Sequence, residues 1–443
     1  MRCSVTRGSW SPISAPRPSE AAGDDVKRNR ERLSRRHGRV LLGVVVAGVA
    51  LTACNSSNNA VVSTTVVAPP PGCDTSRVIP IGASLDLSGP GAALGHAYLI
   101  GLEMGIAKVN EGNGVPPRNS CFELMYKNNR GDPTIDNQAV LDLVNVEKAG
   151  VVVSSFLGSA TATYLGQLGV PEVSLSNLAS TFAPKQFPNA YPMTASMESQ
   201  AFVIAKTLRK DHVSSVGLVV TDDAASRQGA AHFASVAEAD GLTITGRATV
   251  SVSGGGAAAA LAQVRSTHPK VLVVLDDTGA VASVLSARTS LGWKVPVIAG
   301  PTATQADVLS KVGGETDGVS VVVPSGAVAG TGLASTGTFS FRKKLLAYLG
   351  VSSIKGSIIP YAETYDAMTM MGNAANGAMG ISASDVTTFL QNANYQGVLA
   401  AYTYTTGAHT GISASEQTVV SLSSLSNGLL APPPKKSAGV IGS

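Results

Sequence analysis

The chain has 443 residues, with 33 lysines and arginines against 29 aspartates and glutamates, a formal net charge of +4. Residues 1–53 hold 10 of the basic and 4 of the acidic groups, leaving 23 against 25 elsewhere, so the basic excess belongs to the N-terminal segment and no nucleic-acid partner is implied. With 44% hydrophobic and 14% charged residues the composition excludes a largely disordered chain, and the 390 residues after position 53 suffice for two domains of ordinary size.

In chain order, a block of positive charge over Val26–Arg39 precedes an uncharged apolar run from Val40 to Ala53. That run is shorter than the roughly 20 residues a spanning helix needs and suits the apolar region of a signal peptide. Leu51-Thr52-Ala53-Cys54 places small residues before a cysteine and resembles the lipobox of bacterial lipoproteins. The resemblance implies that residues 1–53 are a signal peptide, that Cys54 is lipidated, and that the protein is anchored at the outer face of the bacterial cytoplasmic membrane or in the cell envelope. The Arg35-Arg36 pair lies in a poor context for twin-arginine export. Residues 54–72, polar and ending in three prolines, read as a flexible tether, and residues 431–443 as a disordered tail.

From Val78 onward, strand-like apolar runs alternate with helical patterns. The first strand, 78–85, is followed by a loop and by a helix running through Val109. Phe122–Asn129 is the next strand, and Asp132-Pro133 reads as the N-cap and first residue of a helix reaching about Lys148. "GVVVSSF" is a strand, followed by a short helix with Gly169 as its C-cap; Val170-Pro171 then opens another strand. "SVGLVVTDD", "KVLVVLDD" and "GVSVVVPSG" are further strands, with helices near 226–240 and 279–291. Two βα assemblies in tandem predict an α/β chain of two doubly wound, parallel-sheet lobes. Cys73 and Cys121 each immediately precede a strand. If those strands are parallel neighbours, the two thiols share one edge of the sheet and a disulfide is plausible.

The stretch "IGASLDLSGPGAALGHAYLIGLEMGIAKVNEGNGV" resembles the opening of the type I periplasmic binding proteins of branched-chain amino-acid transporters. The resemblance continues through "NNRGDP", "GVPEVSLSNLAS", "VVTDDAASRQG", "GWKVPVIAGPTAT" and "YAETYDAMTMMGNAANGA", over about residues 77–410. It implies two lobes joined by a three-crossover hinge, here 73–194 plus 324–397 and 195–323 plus 398–430. It also implies a small polar solute, such as an amino acid or amide, enclosed between the lobes and delivered to ABC permease subunits by a protein expected to be a monomer. A sensory or structural lipoprotein keeping the fold is the alternative.

Ligands of open parallel sheets collect beyond the carboxyl ends of the strands. On lobe 1 this singles out Ser88 and Gly89 in loop 86–95, and the resemblance implies Ser155 and the Ser176-Asn177 turn as further contacts. In amino-acid binders of the resembling family, lobe 2 supplies a tyrosine, an aromatic and a carboxylate for the ammonium. Ser226, Asp277 and Thr302 stand at those places here, and Asp223 and Arg227 lie beside them. Leucine-like ligands are therefore expected to bind poorly, with Asp277 restoring a carboxylate.

No enzyme pattern competes. There is no G-x-S-x-G or H-E-x-x-H, and His96, His212, His232, His268 and His409 lack metal-ligand spacing. Gly89-x-Gly91-x-x-x-Gly95 misses the dinucleotide fingerprint by one place, and "YKNN" ends the second strand where a ribose-binding acid would stand. Neither cofactor nor metal is expected. Asp222-Asp223 and Asp276-Asp277 are adjacent pairs whose side chains diverge on an extended strand, which disfavours a catalytic dyad within either. The Arg130-Gly131-Asp132 tripeptide is explained by its loop and N-cap position.

Overall fold

Apolar, β-branched runs buried on both faces need strand neighbours on both sides, and the chain meets that need with two mainly parallel six-stranded sheets. The computed structural model describes residues 63–69, 73, 78–111, 120–155, 158–178, 183–330, 336–378, 383–391 and 394–433. The expected signal peptide, Cys54 and residues 434–443 of the expected tail lie outside the described residues.

Lobe 1 contains strands β1 (Thr65–Val67), β2 (Ile79–Leu85), β3 (Phe122–Asn128), β4 (Val151–Ser154), β5 (Glu172–Ser174) and β6 (Ala190–Pro192), in the order β1-β3-β2-β4-β5-β6. Helices α1 (Ala92–Asn110), α2 (Pro133–Asn145) and α3 (Ser159–Leu168) connect them. Asp132 caps α2 as expected, accepting from the N–H of Thr134 and Ile135, and Gly169 ends α3 at φ 66°. Helix α2 stops short of the expected Lys148, which itself adopts φ 61° as the chain turns toward β4. β2 and β3 are parallel neighbours, and Cys73 and Cys121 are joined in a disulfide with their Cα atoms 5.8 Å apart.

β1 corrects the tether reading for residues 65–67. This piece pairs antiparallel with β3, and the Thr64 hydroxyl donates to the Glu147 carboxylate at 2.6 Å. The open edge of β3 offers unpaired backbone groups, and the β-branched Thr-Val-Val piece is suited to cover them.

Lobe 2 begins with α4 (Met197–Lys210). It continues through β7 (Ser215–Thr221), α5 (Ala224–Ala239), β8 (Thr243–Val250), α6 (Ala257–Arg265), β9 (Val271–Leu275), α7 (Val281–Ser290), β10 (Val297–Ala299), α8 (Ala306–Lys311) and β11 (Val319–Pro324). The chain then returns to lobe 1 with α9 (Thr336–Leu349), α10 (Ile359–Ala378), α11 (Ala383–Leu390) and a small antiparallel sheet of β12 (Asn394–Gln396), β13 (Ala401–Tyr404) and β14 (His409–Ile412). Finally β15 (Gln417–Ser421) joins lobe 2, whose strand order is β15-β11-β10-β9-β7-β8.

The last crossover therefore falls at Ser413–Glu416, later than the expected boundary at 397/398. Residues 398–412 stay with lobe 1 because buried polar groups hold them there. The Tyr404 hydroxyl donates to the Pro192 carbonyl at 2.8 Å, a ring nitrogen of His409 lies 2.7 Å from the Ala190 carbonyl, and the Ile412 N–H donates to Thr194 at 3.1 Å. Buried Asp366 on α10 also accepts from the N–H groups of Val398 and Leu399 and from the Tyr402 hydroxyl.

Helices α1 and α10 form the wall of lobe 1 that bears on the candidate site. A Cβ on Gly101 would lie 2.1 Å from the Thr364 hydroxyl and the Tyr361 carbonyl, and one on Gly105 would lie 2.7 Å from Met368. Glycine inside a helix costs roughly 1 kcal/mol relative to alanine. Here it permits a close approach sealed by the Thr364 hydroxyl donating to the Tyr98 carbonyl at 2.8 Å.

Candidate functional site

Side chains from both lobes meet beyond the carboxyl ends of β5, β7 and β9. Asn177, after β5, donates its amide to the carboxylate of Asp277, after β9, a direct hydrogen bond from lobe 1 to lobe 2. Burial pushes the Asp277 carboxyl up to about 8; the Asn177 hydrogen bond acts the other way, and the charges of Asp223 and Asp276 raise it further.

The two aspartates after β9 divide their roles. Asp276 is 2% exposed and fully engaged, accepting from the hydroxyls of Thr221 and Thr278 and from the N–H groups of Thr278, Gly279 and Val281 at 2.8–3.0 Å. Asp276 thus ties β9 to the start of α7, which leaves Asp277 facing the other lobe.

Asp223 caps α5, accepting from the Ser226 N–H at 2.8 Å through one oxygen, while its other oxygen is buried without a partner. Ser226 is completely buried and its hydroxyl is also unpartnered. Asp223 is the N-cap of α5 and Ser226 lies in its first turn, and the Asp223 charge acts on Asp277.

Tyr98 on α1 and Glu363 on α10, which motif reasoning did not select, complete the group from lobe 1. Glu363 is 6% exposed; burial raises its carboxyl to about 8, the Tyr98 hydrogen bond opposes that, and the charges of Asp366 and Asp277 add to it. Burial first, then the charges of Glu363 and Asp277, drive the Tyr98 hydroxyl well above its ordinary range. The available signal was a glutamate inside "YAETYDAM", on a helix buried along most of its length. A cavity of about 250 Å³ is lined by Leu94, Ala97, Pro360 and Tyr361 from α1 and α10 and by Gln305 and Asp307 from lobe 2; Asn177, Asp277, Tyr98 and Glu363 are not among its lining residues.

Other expected residues are placed differently. The N–H groups of Ser88, Gly89 and Gly91 do not face a ligand; all three donate to the buried carboxylate of Asp86. Ser88 is exposed, and its hydroxyl accepts from Asn128 at 2.8 Å. Gly89 is required because a Cβ there would lie 2.2 Å from the Arg130 carbonyl, so the close approach it permits is to the protein's own backbone. Arg227 is exposed and paired with Asp222, away from Asp277. Thr302 is buried and donates to the Asp276 carbonyl at 3.1 Å, within its own lobe. Ser155 follows β4, partly buried, and the Ser176 hydroxyl accepts from the Leu178 N–H at 3.1 Å while keeping its own proton free to donate. Among the described residues no group of histidines, cysteines and carboxylates is arranged to hold a metal ion, and no helix is long and apolar enough to cross a membrane.

Comparison with known proteins follows the same lines. The sequence model of a family described as periplasmic binding protein matches residues 78–442. No curated protein sequence matches the chain. Among solved structures, an extracellular ligand-binding receptor from Rhodopseudomonas palustris HaA2 superposes with a TM-score of 0.70 at 17% identity, over 80% of this chain and 99% of that one. The branched-chain amino acid transporter substrate-binding protein LivJ of Streptococcus pneumoniae, in complex with isoleucine, gives 0.63 at 19% identity, over 75% and 97%. A solute-binding protein of an ABC transporter from Rhodopseudomonas palustris BisB5, in complex with 3,4-dihydroxybenzoic acid, gives 0.65 at 17% identity, over 75% and 90%. At these identities the superpositions establish the fold.

Proposed function

From the premise that this chain belongs to the periplasmic binding protein family, we propose that it is an extracytoplasmic solute-binding protein whose two lobes close over a small polar solute and deliver it to an ABC permease. The observation that carries the reading is the hydrogen bond from Asn177 to Asp277. Each lobe holds only half of the polar group there, so the complete constellation exists only when the lobes are together. Relatives of this fold carry isoleucine in one case and 3,4-dihydroxybenzoic acid in another, so this chain's own side chains decide what it takes.

In this reading Asn177, Asp223, Ser226 and Asp277 of the expected set contact the solute, joined by Tyr98 and Glu363, while Ser155 and Ser176 line the lobe 1 side. Ser88, Gly89, Arg227 and Thr302 serve the scaffold. Lipid on Cys54 holds the protein at the outer face of the membrane.

The test is closure. Purified protein is screened for thermal stabilisation by small solutes, and small-angle scattering is recorded with and without each that binds. Ligand binding stabilises by RT ln(1 + [L]/Kd), about 2.7 kcal/mol at a hundredfold excess over Kd. A bound solute should make the protein more compact; unchanged scattering in the presence of a binding solute contradicts the reading.

A further inference from the structure

Residues 350–358 of lobe 1, between α9 and α10, reach across to lobe 2. The Ser357 N–H donates to the Thr304 carbonyl at 3.0 Å, and the hydroxyls of the same two residues lie 2.8 Å apart. A Cβ on Gly356 would lie 2.6 Å from the Ala306 nitrogen at the start of α8, so the crossing needs a glycine there.

Gly356, Ser357 and Ala306 also line the cavity of about 250 Å³ that lies apart from Asn177 and Asp277. Most of its wall is apolar and comes from lobe 1: Leu94 on α1, Leu349 at the end of α9, Ile354 in the crossing loop, and Pro360 and Tyr361 on α10. Leu94, Leu349, Ile354 and Tyr361 are partly buried and pack against the main core. Lobe 2 completes the wall with Gln305, Ala306 and Asp307. Neither lobe alone encloses this space.

The lining decides what suits it. At roughly 30 Å³ per water the space equals about eight waters, and a wall with few donors and acceptors gives each of them too few partners. An apolar molecule instead restores the dispersion contacts that the lining side chains lack on that side. The two charged residues of the lining offer no buried counter-charge: Lys355 is exposed, and Asp307 has the Lys311 ammonium 3.7 Å away. A carboxylate or an ammonium would give up its hydration here without gaining a desolvated partner.

We propose that this cavity is a second ligand site, which takes an uncharged, mainly apolar molecule of about seven to ten non-hydrogen atoms, the size of a substituted benzene or cyclohexane. Its occupant touches both lobes, so binding favours the closed arrangement in which the Gly356–Ser357 crossing is made. The site goes beyond the solute reading above and uses neither Asn177 nor Asp277.

Titration calorimetry and thermal melts with cyclohexanol, benzyl alcohol and anisole, against benzoate, benzylamine and glycerol, test this on the wild type, Leu94→Trp, Ala97→Leu and Gly356→Ala. The three uncharged apolar compounds should bind and raise Tm, with benzoate and benzylamine at least about tenfold weaker and glycerol without effect. Leu94→Trp and Ala97→Leu, which fill the space from α1, should each weaken them by more than about tenfold, and Leu94→Trp without ligand should melt no lower than wild type because it fills a void. Melts establish that every variant is folded. Small-angle scattering of the wild type should show a more compact protein with benzyl alcohol, an effect that Gly356→Ala diminishes by keeping the crossing loop off α8. No binding by the uncharged compounds, a preference for benzoate or benzylamine, or affinities indifferent to both filling variants overturns the site. Binding without compaction overturns its link to closure. Either failure leaves the polar-solute reading standing, since that reading is tested with polar solutes at Asn177 and Asp277.

Discussion

The buried carboxyl of Glu363 makes the empty protein's stability depend on pH, and Glu363→Gln isolates that effect. Glu363 is raised from an ordinary 4.5 to about 8, chiefly by burial. A group raised on folding stabilises fully below its unfolded value, and that contribution is lost as pH climbs through the folded one, here between about 4.5 and 8. At about 1.4 kcal/mol for each tenfold change in proton affinity, the full gap caps the effect at about 5 kcal/mol. That ceiling assumes complete desolvation, and water reaching the cleft lowers it to an effect on the order of 2 to 3 kcal/mol. Glutamine keeps the shape and the acceptor for the Tyr98 hydroxyl but never ionises. E363Q should therefore melt close to wild type at pH 5 and several degrees above it at pH 8.5, because each kcal/mol shifts Tm by about 2–4 °C in domains of moderate size. Melts of both proteins without ligand across pH 5–8.5 measure this. A difference in Tm that stays constant with pH, or a variant less stable than wild type at pH 8.5, would refute the account of a desolvated carboxyl at Glu363.

The two aspartates after β9 should separate cleanly: Asp276→Ala orphans five donors and is expected to lower stability by about 3 kcal/mol or more, whereas Asp277→Ala, which frees only the Asn177 amide at a cleft that water enters on opening, should be near neutral in the empty protein. Chemical denaturation reads both, and equal losses would remove the distinction. Cys54→Ala should move the protein from the membrane fraction to the soluble one and alter its processed mass; unchanged fractionation and mass would exclude lipid at that residue.

What could be read from the sequence is what local physics decides. Asp132-Pro133 and Gly169 punctuate helices through their own backbone chemistry, and the pairing of Cys73 with Cys121 follows once the strands after them are parallel neighbours. The resemblance placed Asn177 and Asp277 at the cleft, and the structure joins the two by a hydrogen bond between the lobes. The backbone N–H groups of Ser88 and Gly89 are taken by Asp86, one position after β2, a competition that spacing does not reveal. The last crossover was placed too early because residues 398–412 are held to lobe 1 by partners such as Ala190, Pro192 and Thr194, some two hundred positions away.

Glu363 and Tyr98 show why the rest of the site needed the fold. Each sits on a largely buried helix, where a polar residue reads equally well as a satisfied core group. Only the close packing of α1 on α10, permitted by Gly101 and Gly105, brings the two near enough to shift each other's ionisation.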